Sequence, residues 1–451
     1  MAESMRRRLE RAEGECLAPY ALRSADATRR YPLGDEGRAV DYRTHFQRDR
    51  DRIVYSRAFR RLRQKALTGI LPAYEDHRRN RLTHTLEVAQ LSRTVGRALR
   101  LNEDLIEAVA LGHDLGQPPF GPVGVGALDD LLSGRLDGQG GPGLGDLKGF
   151  WRGWQGLRVV DGLEKRYEHP GINLTDPVRE GILKVGEEER TPPEPVEGVN
   201  LEDPPAFEVQ VVKLADRIAS ALDDLDDALQ AGAVDVAQVE RLGAVRELRK
   251  KLGSSYRPRA SRFMKANAIH RGLTHLLATG AIVASDSSLG RWASSHGVTD
   301  PGKFREVRRG SLRGGEVRLP ASGRRLLEDL EGFLAAKVHR GYAADRVRGR
   351  GRRTLLGLFA AYHTDPTLLE DHVLLRFKEA AGVGYLRDRP GSAMEAELAR
   401  HYRANPSFVR LLADHLAGMT DTYAVREHAR LLRMGAVPIP SVEQLRREKK
   451  T

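Results

Sequence analysis

Cysteine is almost missing from this chain of 451 residues; Cys16 stands alone. One thiol cannot close an intramolecular disulfide or build a cysteine-rich zinc module, so any metal chemistry must draw on the 14 histidines and the carboxylates. Aromatic residues are scarce at 6%, and no run interleaves arginine with aromatic side chains as a single-strand stacking platform requires. Long apolar runs are missing too. None approaches the roughly 18 residues a bilayer-crossing helix needs, and the opening MAESMRRRLERAEGE has no apolar stretch of the secretory kind. The expectation is a cytoplasmic protein with no membrane partner.

What the chain has in quantity is length, charge and helical periodicity. It is long enough to bury a large core, either as one big domain with an appendage or as two packed lobes. Lysine and arginine number 74 against 62 acidic residues, a formal net charge of +12. That sign suits a polyanionic ligand, nucleotide or nucleic acid, and equally suits a merely soluble surface. Apolar residues recur at helical spacing over Asp49–Lys65, Arg79–Arg100, Asn102–Leu115, Asp176–Val185, Ala206–Ala231, Val234–Lys251, Ser261–Ala278, Gly323–Arg340, Arg352–Tyr362, Pro406–Met434 and Val442–Lys450. Strand-like alternation is rare, so the fold class is all-α. Glycine and proline mark loops at SGRLDGQGGPGLGD and TPPEPVEGVNLEDPP, and a basic, glycine-interrupted stretch spans 307–325. A loose boundary at 252–260 divides the chain into an N-terminal arm (1–48), a core (49–252) and a helical C-terminal region (253–451).

Four polar residues sit where apolar ones belong. His84 shares a helical face with Val88, Leu91 and Val95; His113 follows Ile106 and Val109 on another; Asp216 lies on the line Val209, Val212, Asp216, Ala219. A lone histidine on such a face is more often a satisfied core residue than a ligand. A buried, unpaired carboxylate is different, because its desolvation penalty of several kcal/mol needs a cation or hydrogen-bond donors to offset it. Two inward histidines, Asp114 beside one of them and Asp216 on a third helix make a shared cation the economical explanation. Two imidazoles and two carboxylates suit one divalent ion, Mn or Mg ahead of Fe, Co or Ni, rather than a closed structural zinc site. Such an ion with open positions polarises a phosphoryl oxygen and lowers the pKa of bound water.

The spacing His84, His113-Asp114, Asp216 resembles the H…HD…D signature of the HD superfamily of metal-dependent phosphohydrolases. The surrounding text is more specific: LAPYALRS, RTHFQRDRDRIVYSRAFRRLRQKA, DHRRNRLTHTLEVAQLSR, LNEDLIEAVALGHDLGQPPFG, VVKLADRIA and LAGMTDTYA are similar to the dGTPase-like deoxynucleoside triphosphate triphosphohydrolases, from near residue 16 to about residue 425. The resemblance implies an HD-domain helical core with a helical C-terminal lobe, a homo-oligomer, and hydrolysis of a dNTP to deoxynucleoside and inorganic triphosphate. It also implies that Arg81, Arg60 and Arg61 contact the triphosphate, which fits the bidentate grip of guanidinium on phosphate, and that Asp224 lies near the sugar 3′-hydroxyl.

The departures from the family pattern are as informative. The positions relatives use for proton transfer, in HD-x-G-x-P-P-F-G-H-x-G-E, are Pro122 and Val125 here, and neither moves a proton. Gln117 stands where a histidine or asparagine is common, Leu67 where a glutamine touches the sugar, Ser220 where a tyrosine packs on deoxyribose, and Trp151, Arg152 and Gly153 interrupt F-E-H/G-N-x-Q. The catalytic acid is therefore unassigned, with Asp223 and His77 as candidates. Three readings stay open: a triphosphohydrolase with an altered pocket; a degenerate HD protein that binds nucleotide, or nucleic acid through 307–325, as a regulator; and an HD enzyme for another phosphoester.

Overall fold

The structure is a computed structural model that describes residues 5–33, 42–67, 79–137, 141–186, 190–252, 261–388 and 391–432. Within them the chain folds into α-helices in this order: α1 (Met5–Cys16), α2 (His45–Val54), α3 (Arg57–Arg61), α4 (Arg81–Ala98), α5 (Glu103–Gly112), α6 (Pro122–Leu132), α7 (Arg152–Arg158), α8 (Asp176–Lys184), α9 (Phe207–Gln230), α10 (Val236–Val239) and α11 (Gly243–Leu252). The 34-residue α12 (Arg262–Ser295) follows. Then come α13 (Pro301–Val307), α14 (Ala321–Lys337), α15 (Tyr342–Thr364), α16 (Asp371–Ala381), α17 (Gly391–Glu397), α18 (Pro406–Ala417) and α19 (Asp421–Leu432). Among the described residues no strand forms, only isolated bridges such as Arg29 with Thr175. The all-α expectation holds. No described helix is long and apolar enough to cross a membrane.

Several helices differ from their expected bounds for local chemical reasons. The stretch Asp49–Lys65 is not one helix: α2 ends at Val54, and the Ser56 hydroxyl accepts from Phe59 N at 3.1 Å to start α3. Capping satisfies a donor that a continuous helix would satisfy otherwise, so the serine marks a restart. Asp235 opens α10 in the same way, and the expected helix Val234–Lys251 divides into α10 and α11. Residues 418–420 separate α18 from α19. In the other direction, α12 runs seventeen residues beyond Ala278, because Ala266, Ile269, Leu273, Leu277, Ala281, Ser285, Leu289 and Trp292 keep one buried stripe to its end. The expected helix Val442–Lys450 and His77 lie outside the described residues.

Contact density groups the chain differently from a consecutive division at 48 and 252. One compact unit takes Met1–Gln117 and Trp151–Val347, the other Pro118–Phe150 and Arg348–Thr451. In the first, α2, α4, α5, α7, α8 and the first half of α9 enclose one apolar core, while the second half of α9 packs with α10, α11, α12 and α14 around another. Each fully buried leucine there contributes ~1.5–3 kcal/mol relative to exposure. The side chain of Ile106 on α5 packs directly over Gly96 of α4: a Cβ there would fall 2.2 Å from Ile106 Cδ1, so a larger residue would displace that side chain. The second unit packs α6, the larger part of α15, α16 and α18 around Leu128, Phe150, Phe359, Phe377, Tyr402 and Phe408.

Candidate metal centre

Three segments of the first unit deliver the polar cluster. Asn80 caps α4 in a reciprocal box with Thr83, which places His84 one turn in, on the same buried face as Val88 and Val95. Asn102 caps α5 through Leu105 N, with Glu103 and Asp104 favourably placed in the first turn. That helix ends at Gly112, so His113 and Asp114 occupy the turn that follows it. Asp216 comes from the middle of α9. All four side chains are buried, and the ligating atoms of His84, His113 and Asp216 lie within 4.8 Å of one another.

Each imidazole presents one nitrogen to the cluster and uses the other for anchoring. His113 Nδ1 donates to Ala110 O at 2.6 Å, leaving Nε2 buried, 3.6 Å from Asp216 Oδ1 and 3.7 Å from Asp114 Oδ1, without a hydrogen-bond partner. His84 Nδ1 donates to Asp223 Oδ2 at 2.8 Å, and its Nε2 meets Asp216 Oδ1 at 3.1 Å. A carboxylate behind a ligating imidazole fixes its tautomer and raises its basicity. Asp223, weighed from sequence as a proton donor, is thus engaged with a ligand candidate, and its other oxygen lies 3.3 Å from Arg79 Nε. The donor set fits a divalent ion: two imidazoles and a carboxylate converge, and a buried imidazole nitrogen with no partner is costly unless something ligates it.

Two arginines complete the charge balance. Arg81 donates to Asp114 Oδ2 at 2.9 Å and to Leu67 O at 3.0 Å. Arg152 donates to Asp216 Oδ2 at 2.9 Å and to Asp114 Oδ1 at 3.4 Å. Burial pushes the Asp114 carboxyl up, but Arg81, His113, Arg152 and His84 outweigh it and hold the group below the ordinary carboxylate range. Asp216 is held well below that range in the same way, by Arg152 and His113 first. Burial alone lowers His84; its bonds to Asp216 and Asp223 prevail and push it up to about 10.

Beside the cluster lies a cavity of about 480 Å³ lined by Arg152, Lys213, Asp216, Arg217, Ser220, Asp224 and His339, among others. Its size falls in the usual range for small-ligand sites. Ser220 lies 3.4 Å from Asp216 Oδ1 through its hydroxyl, and Asp224 Oδ2 lies 3.2 Å from His339 Nε2 while Asp224 Oδ1 is buried without a hydrogen bond. The expected phosphate contacts Arg60 and Arg61 are exposed on α3 and do not line this cavity. Arg81 is buried against Asp114. Gln117 is buried, and its carbonyl accepts from Lys65 Nζ. Pro122, the first residue of α6, and Val125, half-buried against the apolar core there, belong to the second unit.

The cavity cations Lys213 and Arg217 are not among the residues expected from the sequence; with Ser220 and Asp224 they recur at four, three and four residues on α9, flanking the stripe of Asp216, and that charged flank is their signal in the sequence. Arg152 stands out there only as a departure from the family motif.

Residues 81–221 match the HD domain family, and residues 383–430 match the phosphohydrolase-associated domain. The chain is 37% identical over 422 residues to a deoxyguanosinetriphosphate triphosphohydrolase-like protein of Syntrophus aciditrophicus, covering 92% of this chain and 94% of that one. It belongs to the deoxyguanosinetriphosphate triphosphohydrolase-like family of HD-domain proteins. Relatives of the same description in Bordetella pertussis (36% identical, 87% of this chain and 91% of the relative) and, as protein 1, in Deinococcus radiodurans (34%, 94% and 98%) give the same breadth of coverage. As a dGTPase-like HD protein the chain is of phosphohydrolase type, with a divalent metal implied and His84, His113 and Asp216 as its candidate holders.

Proposed function

We propose that the protein is a metal-dependent triphosphohydrolase of deoxynucleoside triphosphates. Water adds its oxygen to the α-phosphorus, the bond from that phosphorus to the 5′ oxygen breaks, the 5′ oxygen takes a proton, and deoxynucleoside and inorganic triphosphate leave. The observation that carries this reading is the convergence of His84, His113 and Asp216, with His113 Nε2 buried and making no hydrogen bond, at the edge of a cavity lined by Arg152 and Lys213. A divalent ion, Mn or Mg, held by His84, His113 and Asp216 with Asp114 beside them, supplies Lewis-acid polarisation of the phosphoryl group. The relatives' name supports a deoxynucleotide as substrate, and Lys213 and Arg152 in the cavity support its triphosphate, Arg217 there being held by Glu331 at 2.7 Å.

The protein's own residues divide the remaining work. Arg81 holds Asp114 in place; Asp223 orients His84; and Asp224, with one buried oxygen unpartnered, receives the sugar 3′-hydroxyl. With Pro122 and Val125 at the positions of the family's acid and base, turnover is slow relative to relatives that keep them, by roughly 10²–10⁴-fold. The test is release of triphosphate from each dNTP and NTP with Mn or Mg. Failure to release triphosphate, pyrophosphate or phosphate from any of them overturns the reading.

A second reading, a regulator that binds nucleotide without turning it over, is favoured by the apolar side chain of Val125 and the ring of Pro122. It predicts nucleotide-dependent stabilisation with no product. In either reading the chain forms a homo-oligomer, and the basic stretch 307–325 is the surface to test for nucleic acid through the salt dependence of binding.

A further inference from the structure

Two arginines touch the buried carboxylates, and they are held differently. Arg81 is 5% exposed and fixed twice, by Asp114 Oδ2 and by the carbonyl of Leu67. Arg152 has a side chain 22% exposed; its guanidinium spans one oxygen of Asp114 and one of Asp216, and the same side chain lines the cavity with Lys213 and Arg217. Its root is set by the backbone. A Cβ on Gly116 would fall 2.1 Å from the Arg152 carbonyl oxygen, and one on Gly153 2.4 Å from the Leu183 carbonyl oxygen. Only glycine at these two places lets α7 lie between the turn after His113-Asp114 and α8, so the reach of Arg152 into the cluster is built in.

We propose that Arg152 is an exchangeable counter-ion of the metal centre. With no ion bound it neutralises Asp114 and Asp216; a divalent ion taken up by His84, His113 and Asp216 displaces it into the cavity, where its guanidinium engages the substrate's phosphate chain. The proposal rests on the metal reading above. An incoming dication places like charge beside both guanidinium groups inside a low-dielectric shell, where charge repulsion is strong. Arg81 has no way out, since its second bond ties it to buried backbone. Arg152 does, through rotation of a long side chain into a cavity it already lines. Phosphate offers its planar fork a bidentate partner in exchange for the carboxylates it gives up. Metal and triphosphate then bind cooperatively, because the ion frees the arginine that the phosphates use.

The test is calorimetric titration of the full chain with MnCl2, and separately with inorganic triphosphate, for the wild type, R152Q and R152K. R152Q is expected to bind Mn about tenfold more tightly than wild type, the usual scale of site-to-site coupling, with R152K between them. Inorganic triphosphate is expected to bind wild type and R152Q alike without metal, and about tenfold more weakly to Mn-loaded R152Q than to Mn-loaded wild type. Thermal denaturation gives a second readout: R152Q without metal melts lower than wild type, and Mn restores it. Mn affinity in R152Q equal to or below that of wild type, with wild type binding normally, overturns the exchange alone. A triphosphate affinity indifferent to Arg152 in the Mn-loaded protein does the same. Wild type that takes up no Mn overturns the metal reading, and this proposal with it.

Discussion

The two compact units are made of the same material and bury different things. The first buries Arg81, His84, His113, Asp114, Asp216 and Asp223 among many other charged or polar groups, whereas among the described residues of the second only Asp129, Thr354 and Asp414 join its apolar core. There Phe377, Tyr402 and Phe408 pack ring to ring with centroids 4.9–5.0 Å apart. Burying charge is expensive, so the contrast separates a unit that buries many charged groups from one whose described interior is mostly apolar packing. Buried charge is not by itself a site, however. In the first unit Glu208 accepts from Leu22 N at 2.9 Å, and Asp49 accepts from Thr175 N and lies 3.2 Å from Arg29; both tie distant segments together. What distinguishes the metal centre is convergence: two imidazoles and a carboxylate bring their ligating atoms within 4.8 Å of one another.

The sharpest way to break the contrast is to remove a ligand. Asp216→Asn is expected to reduce Mn uptake and triphosphate release to background, measured as bound Mn per chain and as product; retention of stoichiometric Mn would move the centre elsewhere. The converse cut is Phe377→Ala, which should cost about 3–5 kcal/mol in denaturant unfolding and leave Mn bound per folded chain unchanged. A loss of Mn there would mean that the apolar interior also serves the site.

Smaller effects probe the shell around the ligands. Asp223→Asn keeps the shape but weakens the hold on His84, and Mn affinity should fall about 10–100-fold, as for other carboxylates behind a metal-bound histidine. An unchanged affinity would return Asp223 to the list of proton donors. The pH dependence follows from His84. With no ion bound, its folded-state value is pushed up to about 10, above the ordinary value of about 6.5. Its contribution to stability is therefore full below the lower value and lost as pH rises through the upper one. Asp114 and Asp216, held low, act in the opposite window: their contribution is present above the ordinary carboxylate range and lost as pH falls toward their depressed values. An ion at His84 displaces its proton, so Mn affinity should rise about tenfold per pH unit between 7 and 9. A flat profile in calorimetry would remove His84 from the ligands.

Periodicity made part of this legible. His84, His113 and Asp216 stand out because helices repeat every 3.6 residues and these three interrupt apolar stripes, and the helical class follows from the same repeat. The rest depends on contacts between residues far apart in the chain. Nothing near Gly116 announces that the carbonyl of Arg152 will lie against it, and the two glycines in WRGWQGLR weaken the helical pattern that would mark α7. The sequence PVGVGALDDLL hides α6 for the same reason. The phosphate role of Arg81 comes from the family resemblance alone, while its bond to Asp114 is visible only in the fold.

The smallest expected effect tests where a helix restarts. Residues 49–65 have a helical pattern throughout, and in a continuous helix Ser56→Ala would stabilise, since alanine has the higher intrinsic helix propensity. The fold places Ser56 instead at the cap of α3, fully buried, with its hydroxyl accepting from Phe59 N. Removing that acceptor leaves a buried backbone donor unpaired and should cost about 1 kcal/mol. The sign of the change in a denaturant titration therefore decides between one helix and two. The carbonyl of Ser56 still starts the first turn in the variant, and the ligands come from α4, α9 and the turn after α5, so Mn binding should be unaffected. A stabilised variant would mean that α2 and α3 are continuous, and that Arg60 and Arg61 point along a different line from the one the cap gives them.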